Sequence, residues 1–431
     1  MPASTSKALR IAVIADSDTR WKWGALTARR IAPEARIDGF LLRGRATPTP
    51  RQLAEVGVPV DGVREVTAAE FIGEIDYSAY DVVLLALVGG AVQAMLHGLA
   101  PLWPDTDRRP VLCTGYVGVV YEKLADGLLL RHGADIVIAN SRHDAERFRA
   151  VYEGVGADAS AVTEAALPFL GGDSYTGTDT RTVVFAAQPS VPQSRADRTY
   201  LLRRLVQHAR LHPGREVLLK LRSKPGEHTT HIEELPYQKL AARIEGGVPP
   251  NFRLVYGHMG EVLDRTDLLV TVSSTAALES LHRRIPTAVL TDLGVREVLG
   301  NHHFLGSGCL ASWDQLDAGH RPRADEEWLA SQGVAADGSY ETAFDAVRKR
   351  VTALLERPGL PPIAPYYTSA TAPGYLPGIL ARHRLDGTQT ATTDVTGVRR
   401  VLRDTVREAA RGAYRHGVQR VAPVIRRMGE L

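Results

Sequence analysis

The chain has 431 residues and a formal net charge of +3, from 52 Lys and Arg against 49 Asp and Glu, which is length enough for two or three domains with cores of their own. Hydrophobic residues at 44% and charged residues at 23% exclude wholesale disorder. The charge is uneven: residues 398–431 hold nine Arg against Asp404, Glu408 and Glu430, a local +6, so the remaining residues sum to −3 and give no footing for nucleic acid as a partner.

Residues 1–7 are polar and lead directly into an apolar run, so no secretory leader is expected. The longest apolar run, 82–92, is too short to span a bilayer, and Cys113 and Cys309 have no neighbours at disulfide-framework or zinc spacing. A cytoplasmic protein is the expectation.

The continuous β-branched run at 11–15 reads as a buried parallel strand, and the same grammar repeats at 37–42, 82–87, 111–114 and 136–139. Helical stretches at 23–30 and 143–152 lie between them, and Ser141 is placed to cap the second. This alternation predicts a doubly wound α/β domain over 7–165. Residues 171–179, rich in Gly, Thr and Asp, read as a linker. A second series follows, with strands at 183–187, 217–221, 253–256, 268–272 and 287–290 and helices at 198–212 and 275–284, giving a second domain over 180–310. Residues 311–386 form an extension with helices at 325–331 and 340–356 and a Pro-rich loop at 358–377. In 398–431 apolar residues recur at helical spacing beside Arg399, Arg403, Arg407, Arg411 and Arg415. That pattern predicts an amphipathic helix, suited either to an anionic membrane surface or to packing on the protein body.

Candidate chemistry collects at predicted strand ends. In L-L-V-T-V-S-S-T-A-A-L-E-S-L-H-R-R a strand runs into a helix at Ser273, Ser274 and Thr275, where unpaired amides and hydroxyls favour a phosphate, and Glu279 lies one turn on to meet ribose hydroxyls. In V-L-L-K-L-R-S-K-P-G-E-H-T-T-H, Lys220, Arg222 and Lys224 leave another strand, on one face if the strand continues, with His228 and His231 behind them. Such cations suit a leaving phosphate that gains charge as its bond breaks. Gln188 ends the first strand of this domain, where an amide can read a base edge. In the first domain Asp16 and Asp18 follow the first strand and are candidates for the base that deprotonates an acceptor hydroxyl. Trp21 and Trp23 beside them offer faces for a sugar, although Trp more often packs in a core. The strand ends at Gly89-Gly90 and Thr114-Gly115-Tyr116-Val117-Gly118 bring backbone close to the cleft, and His302-His303 reads as a loop pair. A G-x-G-x-x-G fingerprint and a P-loop are missing from the sequence, which argues against NAD and ATP enzymes, and neither a G-x-S-x-G elbow nor an H-E-x-x-H pair occurs.

The order Q-P after a strand, then K-x-R-x-K-P, then strand–S-S-T–helix with a Glu resembles the donor half of GT-B glycosyltransferases. It is most similar to bacterial sialyl- and ulosonyltransferases and the CDP-polyol transferases. Segments such as T-G-Y-V-G-V-V-Y-E-K and K-L-R-S-K-P-G-E look like an uncharacterised actinobacterial glycosyltransferase family. The resemblance implies two Rossmann-like domains facing a cleft, with the first taking the acceptor and the second a CMP-, CDP- or UDP-linked sugar. It also implies a glycan or lipid-linked acceptor and neither metal nor cofactor. Sialyltransferases carry a His-Pro pair where this chain has Lys224-Pro225, with His228 three residues later. A nucleotide-sugar 2-epimerase, a CDP-polyol phosphotransferase and a non-catalytic glycan-binding scaffold are the alternatives on the same fold.

Overall fold

The computed structural model describes residues 8–103, 109–119, 124–177, 181–224, 233, 235–334 and 339–386. His228, His231 and the 398–431 segment lie outside them.

The five runs form the strands β1 Arg10–Ala15, β2 Arg36–Leu42, β4 Val82–Ala86, β5 Val111–Gly115 and β6 Ile136–Ala139, and β3 Gly62–Val66 and β7 Val162–Glu164 join them. They pair in parallel in the order β3-β2-β1-β4-β5-β6-β7. Alternation along β1 sends Ile11 and Val13 to one core and Ala12 and Ile14 to the other. Both faces are therefore covered, as a parallel sheet requires. Full burial of Ile11, Val13 or Ile14 contributes roughly 1.5–3 kcal/mol each.

The second sheet holds β8 Val183–Ala186, β9 Val217–Lys220, β10 Phe252–Val255, β11 Leu268–Thr271, β12 Thr287–Leu290 and β13 Leu310–Ala311. Its order is β10-β9-β8-β11-β12-β13, again parallel. Strand order reverses between β1 and β4 and between β8 and β11. Doubly wound sheets bind ligands outside the carboxyl ends of the strands at such reversals.

Past β13 the chain returns to the first domain. Helix Asp345–Leu355 packs beside β5, β7 and helix Asp18–Ile31, and helix Leu376–Arg382 lies on helix Gly89–Leu99. Arg109, paired with Asp135, donates to the Pro361 carbonyl, and Gln93 and His97 hold the Tyr367 carbonyl. The outbound and returning crossings run side by side, held by consecutive arginines after helix Ala276–His282. Arg283 donates to the Gly171 carbonyl and pairs with Asp264, while Arg284 pairs with Glu326 on the return. Gly172 has φ 94° and lies against the Arg283 guanidinium, where a Cβ would collide with it. The predicted linker is thus tied to the second domain, and Tyr175 adds a bond to Asp267.

Candidate functional site

Helix Asp18–Ile31 starts directly after β1, so its first turn stands at the carboxyl end of the first sheet. The Asp16 carboxylate accepts from Arg20 at 2.8 Å and from the Val88 amide at 3.0 Å, which ties the ends of β1 and β4 together. Asp18 turns the other way. Arg222, two residues past β9, donates to it through Nη2 at 2.6 Å and Nε at 3.3 Å, and also contacts the Thr19 hydroxyl. One turn along the same helix, Lys22 pairs with Glu279 at 3.3 Å and stands over the Phe169 ring. Two ion pairs therefore join the domains across one seam. A Cβ on Gly118 would lie 2.8 Å from the Thr275 hydroxyl, which marks how closely the first domain approaches the second beside them.

The strand β9 ends at Lys220, so Lys220, Arg222 and Lys224 do not share the face that a continuing strand would give them. Lys220 is buried at 8% exposure and donates to the Leu221 carbonyl. Burial pushes its ammonium from 10.5 down to about 8, with Glu55 and Glu279 opposing that shift. Arg222 reaches across to Asp18, and Lys224 is exposed.

At the start of helix Ala276–His282 most of the polar groups are already engaged. Gln188 accepts from the Ser273 amide at 3.0 Å, and the Ser273 hydroxyl donates to the Leu299 carbonyl at 2.6 Å. The Ser274 amide donates to the Thr271 hydroxyl, and the Ala276 amide to the Ser274 hydroxyl. The expected cradle of free amides is therefore corrected: Gln188 and Ser273 lock β8 to β11, Ser274 is half-buried, and half-buried Thr275 faces Gly118.

Trp21 and Trp23 are also corrected. They are 2% and 0% exposed, so neither ring is a platform for a sugar. The Trp21 ring covers Gly39, the Trp23 ring covers Gly115, and the Trp23 indole donates to Asn140 at 3.2 Å. His303 packs its ring 6.2 Å from that of His143 of the first domain and 5.8 Å from Trp328. Burial, then the nearby His143 and Arg147, push His303 down to about 3. Lys22 and Thr19 escaped the sequence reading. The available signal was the four-residue spacing of Lys22 from Asp18 in a chain with only seven lysines.

Two parallel α/β domains that meet at the carboxyl ends of their strands, with the chain returning to the first, define the GT-B class. Comparison with solved structures agrees on the fold. A UDP-N-acetylglucosamine 2-epimerase from Rickettsia bellii matches with a TM-score of 0.53 at 11% identity, covering 81% of this chain and 97% of that one. S. aureus MnaA in complex with UDP matches at 0.52 and 11%, covering 81% and 99%. A UDP-glucosyltransferase from Polygonum tinctorium also matches at 0.52 and 11%, covering 81% and 99%. The chain belongs to the family described as “Putative glycosyltransferase (DUF6716)”, which matches residues 11–354. No curated protein matches its sequence.

Proposed function

We propose that this chain moves a sugar, an ulosonic acid among the candidates, from a nucleotide donor to a glycan or lipid-linked acceptor. The observation that carries the reading is the convergence of Lys22, Lys220 and Arg222 on the seam between the two sheets. A nucleotide leaving group gains negative charge as the glycosidic bond breaks, and cations fixed in a partly dehydrated cleft stabilise it without reorganisation. Those cations supply the charge that a metal ion supplies in other transferases, so the reaction is proposed to be metal-independent.

Asp18 is now held by Arg222. A donor phosphate that takes the guanidinium releases the carboxylate, which then accepts the acceptor's proton. Asp16 is the second candidate base, at the cost of its bonds to Arg20 and Val88. Ser274, Thr275, Lys224 and Glu279 line the donor side, and His228 is assigned to the departing phosphate.

The test is a thermal-shift panel with CMP, CDP, UDP and GDP. One nucleotide should stabilise the protein, and Lys220→Ala and Ser274→Ala should abolish the stabilisation. An unchanged shift in both variants sinks the assignment of this site. Release of a sugar product from the nucleotide sugar alone favours the 2-epimerase reading, and no binding across the panel favours the scaffold.

Among the described residues no helix is long and apolar enough to cross a membrane. The +6 segment 398–431 supports a place at the cytoplasmic face of an anionic bilayer, where lipid-linked acceptors are found. Liposome co-sedimentation with and without this segment tests it, and equal pelleting of both forms removes the membrane arm.

A further inference from the structure

Away from the cleft, at the opposite end of the second domain, helix Arg195–Leu211 brings His208 and its C-cap His212 onto one face. Helix Trp313–Asp317 places Asp317 against them. His208 Nδ1 lies 2.6 Å from Asp317 Oδ1, and the two imidazole centroids are 4.5 Å apart. One ligand atom from each of the three residues lies within 4.8 Å of the others. His212 Nε2 is buried and has no hydrogen-bond partner among the described residues.

Arg204 alone faces Asp314 at 2.7 Å, Asp317 at 3.0 Å and Asp292 at 3.9 Å. Its bond to Asp317 Oδ2 orients that carboxylate and leaves Oδ1 turned to the histidines. Arg215 is the competing cation, with Nη1 3.4 Å from His208 Nε2. It is itself crowded by the like charges of Arg321 and Arg181.

We propose that His208, His212 and Asp317 form a binding site for a zinc-like divalent cation that clips the end of helix Arg195–Leu211 to helix Trp313–Asp317. Two imidazoles four residues apart on a helix, with a carboxylate, are a borderline-soft N₂O set that selects Zn²⁺ or Co²⁺ over Mg²⁺. Tetrahedral bonds of about 2.0–2.2 Å set ligand atoms roughly 3.4 Å apart, so the wider contacts draw in while the 2.6 Å His208–Asp317 contact opens around the ion, with water as fourth ligand. The site lies before β9, at the amino ends of the strands, whereas Lys220 and Arg222 stand at the carboxyl ends. Its role is therefore structural, separate from sugar transfer, and it does not rest on the donor reading.

The experiment uses the untagged full chain, stripped with a chelator. Zn²⁺ is titrated by calorimetry, Co²⁺ by its visible absorption, and Mg²⁺ serves as the hard-cation control. The expected result is one Zn²⁺ per chain, a raised Tm, and no Mg²⁺ binding at the same concentration. His212→Ala and Asp317→Asn should each weaken binding by at least about tenfold, while Arg215→Ala should tighten it by removing the competing charge. The melting curve of metal-free His212→Ala reports whether that variant folds. Absence of saturable one-to-one Zn²⁺ binding, equal binding of Mg²⁺, or unchanged affinity in His212→Ala overturns the proposal.

Discussion

Replacing Lys220 with Met should make the protein more stable while removing its donor binding. The lysine is 8% exposed, and burial lowers its ammonium from 10.5 to about 8. At about 1.4 kcal/mol for each tenfold change in the proton equilibrium, keeping the charge costs the folded state about 3 kcal/mol at pH 7. Below pH 8 both the folded and unfolded chains carry the proton and the full cost is present. Between about pH 8 and 10.5 only the unfolded chain carries it, so stability rises with pH and the cost disappears. Met preserves the length and apolar stem of Lys without the charge, so Lys220→Met should gain about 2–3 kcal/mol at pH 7 and nothing above pH 10.5. Urea unfolding of both proteins at several pH values measures this, with nucleotide-induced thermal shifts run in parallel. A destabilised variant at pH 7, or a difference that does not change with pH, would refute the reasoning. A phosphate against Lys220 should also restore its proton, so nucleotide binding near pH 9 should take up protons, visible as buffer-dependent binding heats.

Three further outcomes follow from the geometry. Asp18→Asn and Arg222→Gln should couple by about 1–2 kcal/mol in a double-mutant cycle on nucleotide-free stability, because the pair is bidentate and mostly buried; additive effects would show that the seam is not an energetic contact. Trp23→Phe should lower stability by about 1–3 kcal/mol, since Asn140 loses its buried donor, and leave the acceptor KM unchanged; a raised KM with unchanged stability would return the ring to the acceptor site. His303 is held neutral in the interdomain packing, so stability should be full above about pH 6.5 and decline as pH falls toward 3. In His303→Gln that decline should flatten, and urea midpoints from pH 7 to 4 check it.

The central strands were legible because burial on both faces leaves long β-branched runs in the sequence. β3, β7 and β13 were not. Gly62–Val66 is almost wholly exposed and has no apolar stripe, and β13 is two residues long. Capping at Ser141 was readable and is present, with its hydroxyl accepting from the Asp144 amide at 2.9 Å. The site was legible only in part. Strand-end position singled out Lys220 and Arg222, but the Asp18–Arg222 pair joins residues 204 apart, beyond any local pattern. The tryptophans misled for the same reason. What buries them is the pairing of Trp21 with Gly39 and of Trp23 with Gly115, both tertiary contacts. The amides at 273–276 looked free because the groups that engage the Ser273 amide and hydroxyl, Gln188 and the Leu299 carbonyl, come from other strands and loops.

The two parallel crossings held by Arg283 and Arg284 make the second domain a contiguous insert in the first, attached like a door by two adjacent pins. A domain on a single tether can twist and slide. One pinned twice at neighbouring points keeps a single easy rotation, about the line through the pins. A rotation about that line would separate the carboxyl ends of the two sheets, and the contacts it would break and remake are Arg222 with Asp18 and Lys22 with Glu279.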